Sequence, residues 1–124
     1  MPGDVHLVFS TPPEGVSDEE FNAWYDAHLK EILSVEGFRS ARRFRLKAVV
    51  GADGAPPYRY LVVYEIEGDP DAALQALEDA SMGSAELYTE LKSADEGALP
   101  LPPWFEDVLF ASWNGYALVP RVDA

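Results

Sequence analysis

The sequence predicts an α+β fold: a four-stranded antiparallel sheet with helices on one face, in the ferredoxin-like β-α-β-β-α-β order. Two observations predict it. Four stretches have the apolar alternation of strands, and two stretches with helical spacing and caps separate the first from the second and the third from the fourth. Two right-handed β-α-β crossovers on an antiparallel sheet accommodate that order. At 124 residues the chain fits one domain over its whole length, 1–124.

The first strand, β1, is read over residues 5–10, "VHLVFS", with the turn-forming "TPPEG" after it. Ser17 stands three residues before Glu20, a capping box, with three acids in the first turn. The helix α1 is expected from Asp18 to Val35, stopped by Gly37. Strand β2 follows over Phe38–Val50. Strict alternation places Phe38, Ser40, Arg42, Phe44 and Leu46 on one face and Arg39, Ala41, Arg43, Arg45 and Lys47 on the other. "GADGAPP" is a turn, and β3 is expected over residues 58–67, "YRYLVVYEIE", with Tyr58, Tyr60, Val62, Tyr64 and Ile66 on one face. "GDPDAALQALEDA" opens α2, with Asp69 as cap and Pro70 in the first turn. Gly83 is expected to interrupt it, "SAELYTELKSA" to continue as a further helical piece, and residues 95–103 to form a loop. "FEDVLFASWNGYALV" is read as β4. On β3, Leu61 and Val63 make the second face apolar too, so the sheet needs a cover on the side away from the helices. A homodimer packed through its sheet faces is expected.

Composition removes several function classes. The chain has no cysteine, which excludes disulfides, zinc–thiolate sites and thiol nucleophiles. Its formal charge of −13 repels phosphate backbones and anionic lipid, so neither nucleic acid nor membrane is an expected partner. There is no apolar run near the ~18 residues of a membrane span, and no recognisable signal peptide, so a cytoplasmic protein is expected. Five of the nine basic residues (Arg39, Arg42, Arg43, Arg45, Lys47) fall within β2, which reads as a charged sheet edge or a surface for acidic partner groups. Phosphate-loop, dinucleotide, nucleophile-elbow and metalloprotease motifs are absent.

The stretch "FNAWYDAHLKEILSVEGFRSARRFRL", followed by "YRYLVVYEIE", resembles the EthD-like branch of the dimeric α/β-barrel superfamily. The pattern W-Y-x-x-H before G-F-x-S-A-R-R carries the likeness, which runs from β1 to β3. The resemblance implies a small dimer with a pocket between sheet and helices and a hydrophobic, often aromatic, small-molecule substrate. Relatives include polyketide cyclases, cofactor-free monooxygenases, lactone isomerases, decarboxylases and haem-handling enzymes. Trp24, Tyr25, His28 and Arg42 occupy the positions typical of the branch.

The residues themselves supply candidates. Phe21, Trp24, His28 and Ile32 recur at helical spacing, so α1 should aim His28 at the sheet. That histidine is a buried group bonded to a neighbour, a general acid/base, or a haem or metal ligand. No Cys, Asp or Glu at ligand spacing favours a metal. Tyr25 and Arg42 would orient substrate or stabilise an oxyanion, the alternative for Arg42 being a structural ion pair with Glu65 or a helix acid. Trp24, Tyr60, Tyr64, His6 and Trp113 are candidate substrate contacts, with Tyr58, Asn114 and Tyr116 behind them. The reading is a cofactor-independent proton-transfer enzyme (isomerisation, cyclisation, elimination or decarboxylation), with no metal. The alternatives are a non-catalytic binder of the same ligands and a haem-binding or cofactor-free monooxygenase relative.

Overall fold

The computed structural model describes residues 3–51, 58–80, 82, 88 and 101–124. The elements are β1 (Val5–Thr11), α1 (Asp18–Ile32), β2 (Phe38–Arg45), β3 (Tyr60–Ile66), α2 (Pro70–Asp79), a 3-10 turn (Phe105–Asp107) and β4 (Leu109–Gly115). The sheet order is β2-β3-β1-β4, with every neighbouring pair antiparallel. The expected α+β ferredoxin-like fold is therefore present. Each helix leaves one strand and returns two places away, so β1 and β3 form the sheet's centre. The turn at 52–57, the interruption at Gly83, most of the helical piece at 84–94 and the loop at 95–100 lie outside the described residues.

Local chemistry sets the element ends. Ser17 caps α1 by accepting from the Glu20 amide at 3.1 Å. Asp69 caps α2 by accepting from the Asp71 amide, with Pro70 just inside. Helix α1 ends at Ile32, three residues before the expected Val35. Gly37 adopts φ +98°, and a Cβ there would stand 2.7 Å from the Ala73 Cβ. A bare glycine is what lets the start of β2 cross α2 at close range.

One face of the sheet carries the core. Tyr60, Val62, Tyr64 and Ile66 of β3 are buried beneath Phe21, Tyr25 and Ile32 of α1 and Ala73 and Leu77 of α2. His6 and Ser10 of β1 are buried on that side too. The opposite face is apolar and open: Phe44, Leu109 and Trp113 are exposed, and Leu7, Phe9, Leu61 and Val63 are half-buried.

Two departures from the sequence reading matter. Strand β4 begins at Leu109, not at Phe105; residues 105–107 make a 3-10 turn whose Phe105 is buried against Trp24, Tyr88 and Phe110. Strand β2 does not keep one alternation. Phe38 pairs with Ile66, but Ser40 pairs with Glu65, so Arg39 is an extra residue in a β-bulge. Every side chain after it changes face relative to Phe38.

Candidate active site

The bulge decides which arginine serves the helix side. Arg42 pairs with Val63, stands exposed on the outer face and lies over Phe44, 5.8 Å from its centroid. It does not reach the helix–sheet space, which corrects the expected grouping of Arg42 with Phe38 and with His28. Arg43 pairs with Val62 and turns inward. Its guanidinium lies 4.6 Å from the Tyr25 ring centroid, 5.1 Å from that of Tyr60 and 5.9 Å from that of Phe21. One nitrogen meets Asp26 at 3.4 Å, while Nε and the other terminal nitrogen are buried without a hydrogen-bond partner among the described residues. A cation enclosed by three aromatic faces is held by their quadrupoles.

Between α1, α2, β1 and β4 lies a cavity of about 310 Å³, at the lower end of the range for small-molecule sites. His6, Tyr25, His28, Tyr64, Tyr88 and Ser112 are its polar lining residues, and Val8, Ile32, Leu77, Met82, Phe105 and Phe110 make most of its apolar wall. Among the described residues, neither lysine nor arginine lines it.

His28 stands on α1, four residues after Trp24. Its ring stacks on that indole at 5.0 Å with an interplanar angle of 10°, so Trp24 fixes the imidazole plane from behind rather than lining the cavity. The Tyr88 hydroxyl donates to Glu31 Oε1 at 2.6 Å and lies 3.2 Å from His28 Nδ1. With its proton given to the carboxylate, that hydroxyl can only accept from His28. Nδ1 therefore carries a proton and Nε2 keeps the basic lone pair. Glu31 Oε1 is itself 3.5 Å from Nδ1, placed to stabilise an imidazolium. Burial and the adjoining Glu31 carboxylate hold the Tyr88 phenol well above its ordinary pKa, so it stays neutral.

His6 enters from the sheet. Its Nδ1 lies 2.8 Å from Asn114 Oδ1, and its ring stacks on Tyr64 at 6.0 Å with Phe38 at its edge. Burial lowers its pKa, with the Asn114 hydrogen bond opposing in part, so the ring is neutral near pH 7. Tyr25 is almost fully buried, and burial raises its phenol far above the ordinary value, offset in part by Arg43 and by the Ser10 hydroxyl it faces. Tyr64 is raised likewise, by burial first and then by Tyr25, again against Arg43. Both are O–H donors at neutral pH.

Of the residues expected from sequence, the cavity brings together His28, Tyr25, His6 and Tyr64. Tyr60 is buried between Phe21 and Arg43 and does not line it. Trp113 is 56% exposed on the outer face, edge-on to Phe9, because it pairs with Leu7 and not with an inward residue. The sequence reading passed over Tyr88, Phe105 and Phe110, whose relation to α1 depends on contacts distant in the chain. It set Arg43 on the wrong face. Among the described residues, no group of three His, Asp or Glu side chains is placed to hold a metal ion, and no helix is long and apolar enough to cross a membrane.

Comparison with known proteins bears on the fold. No protein-family profile matches the chain, and no curated protein matches it. A crystal structure of the Arabidopsis thaliana protein At3g17210 is similar, with a TM-score of 0.57 at 11% identity, covering 94% of this chain and 99% of that one. A Shewanella loihica PV-4 protein, provisionally described as a monooxygenase, matches with a TM-score of 0.48 at 15% identity over 98% of this chain and 99% of that one. At 11% identity the Arabidopsis protein bears on the fold alone.

Proposed function

We propose that the protein is a cofactor-independent enzyme of the EthD-like kind, acting by proton transfer on a hydrophobic, aromatic or polyketide-like small molecule. The observation that carries this reading is that two histidines and Tyr25 line one largely apolar cavity, with no lysine or arginine among the described residues that line it. A carboxylate or phosphate substrate would find no lysine or arginine counter-charge among those residues, whereas a neutral ketone or phenol meets O–H donors and an apolar wall.

The chemistry follows from the donor set. A base takes a proton from carbon next to a carbonyl; the C–H electron pair moves into the enolate, whose oxygen needs a donor. His28 Nε2 is the base. The charge it gains is balanced by Glu31 through Tyr88 and directly. Tyr25 donates to the oxyanion, and the Arg43 cation behind its ring favours that donation. Return of the proton at another atom completes an isomerisation, cyclisation or elimination. Trp24 and Tyr64 hold the two imidazole planes. The functional assembly is a homodimer through the open sheet face, which supplies the cover that Phe44, Leu109 and Trp113 lack in one chain.

The test follows the proton. Acetyl-substituted phenols and aromatic β-diketones are incubated with the protein in D2O, and loss of the α-proton signal is followed by NMR. Exchange above the buffer rate, lost in His28→Ala with the fold intact, is expected. Equal rates with wild type and His28→Ala across the panel would overturn the reading in favour of a binder.

A further inference from the structure

His6 is the least explained of the cavity's polar groups, and its surroundings extend well beyond it. On the sheet it is paired directly with Asn114 of β4 on one side and Tyr64 of β3 on the other. Asn114 Oδ1 meets His6 Nδ1 at 2.8 Å. Its amide nitrogen points the other way, 3.5 Å from the Tyr116 hydroxyl, and Tyr116 donates to Asp71 Oδ1 at 2.9 Å. Asp71 stands in the first turn of α2.

These contacts have one consistent direction. Asp71, when ionised, only accepts. Tyr116 spends its proton on it and presents a lone pair to Asn114. An amide carbonyl facing that lone pair would be repelled, so the amide turns its NH2 to Tyr116 and its oxygen to His6. Facing an oxygen acceptor, His6 Nδ1 must carry a proton. From the orientation of this chain we infer that Asn114 is a positioning residue, oriented by Tyr116 and Asp71, that locks His6 in its Nδ1–H form and reserves the Nε2 lone pair for the cavity. This rests on the acid/base reading above and deepens it. His28 is held in the same tautomer by a separate chain that also ends on a carboxylate, Glu31. The cavity thus receives two imidazoles of the same polarity, one from the sheet and one from the helix. Each has its proton tied at the back and its lone pair in front. A substrate with two acidic sites, such as a 1,3-diketone or an ortho-acyl phenol, suits that pair.

The prediction is read without substrate. Long-range nitrogen–proton NMR of the 15N-labelled wild type at neutral pH should show His6 with protonated Nδ1 and bare Nε2. Asn114→Leu should move His6 to the Nε2–H form that free imidazoles favour. Asn114→Asp, which keeps the acceptor, should restore Nδ1–H, and Tyr116→Phe should give a mixture. An Nε2–H tautomer in the wild type overturns the inference even if no variant folds. So does an unchanged spectrum in Asn114→Leu. Should the tautomer lock be present but deuterium exchange absent, the enzymatic reading fails and the lock stands. Exchange with His6 in the Nε2–H form would retain the enzyme and remove the lock.

Discussion

Replacing Arg43 by methionine removes a nearly buried charge while keeping much of the side chain's length. Three aromatic rings lie within 6 Å of the guanidinium, each contact worth about 0.5–1 kcal/mol or somewhat more where water is excluded. The pair with Asp26 is long at 3.4 Å, and its carboxylate is 69% exposed, so it adds about 0–1 kcal/mol. Against this stand Nε and a terminal nitrogen without partners among the described residues, each costing about 1–3 kcal/mol as buried donors. The two sides nearly cancel. Arg43→Met should therefore change stability by no more than about 1 kcal/mol, in line with apolar replacement of buried ions generally. Arg43→Ala has no such compensation and should cost about 2–4 kcal/mol through the void left beside Tyr25, Tyr60 and Phe21. Urea unfolding with linear extrapolation separates the two values. A methionine variant as unstable as the alanine variant would refute the reasoning, because the guanidinium would then be a net contributor whose nitrogens are satisfied.

Other perturbations test other links. Gly37→Ala combines a positive φ with a 2.7 Å approach to Ala73; it should cost about 2–5 kcal/mol, and adding Ala73→Gly should recover only the steric part in a double-mutant cycle. His6 has a folded pKa below its unfolded value, so between the two the unfolded chain binds the extra proton. Its contribution to stability is complete above the unfolded value of about 6.5 and falls as pH drops towards the folded value. Unfolding free energies at pH 7.5 and pH 5 should then differ more for wild type than for His6→Gln. An equal difference for both proteins would remove His6 from the pH dependence. Trp113→Lys on the open face should turn a dimer into a monomer by sedimentation velocity with little change in far-UV circular dichroism. A wild type that sediments as a monomer would sink the face-to-face assembly.

Much of the fold was legible because its signals are local. Ser17 and Glu20 announce the start of α1, and the helical period aims Phe21, His28 and Ile32 at one side, where the structure has them. Part of the candidate site was legible for the same reason: His28 follows from that phase, whereas Tyr25 was singled out by the W-Y-x-x-H resemblance and stands beside it in the cavity wall. The remainder depends on events without a local mark. The β2 bulge has Arg39 as its extra residue, with no glycine or proline to betray it, and alternation counted from Phe38 then selects Arg42. Tyr88 matters through a hydroxyl that meets Glu31, 57 positions away. Phe105 and Trp113 misled because an apolar run near the C-terminus reads as strand wherever it begins. Only pairing with β1 shows that Leu109 is the first strand residue and that Trp113 faces outward.

That extra residue in β2 also governs how roles pass between sequences. Positions 40–45 keep their register because they are tied to β3, with Ser40 opposite Glu65 and Arg43 opposite Val62. A relative lacking the residue at 39 would run smoothly from Phe38 into Ser40 and still bring its equivalent of Arg43 beneath the tyrosine. An alignment drawn without a gap there would match that arginine to Arg42, which stands on the far side of the sheet. Residue correspondence in this strand has to be counted back from its partner, not forward from the glycine that ends the helix.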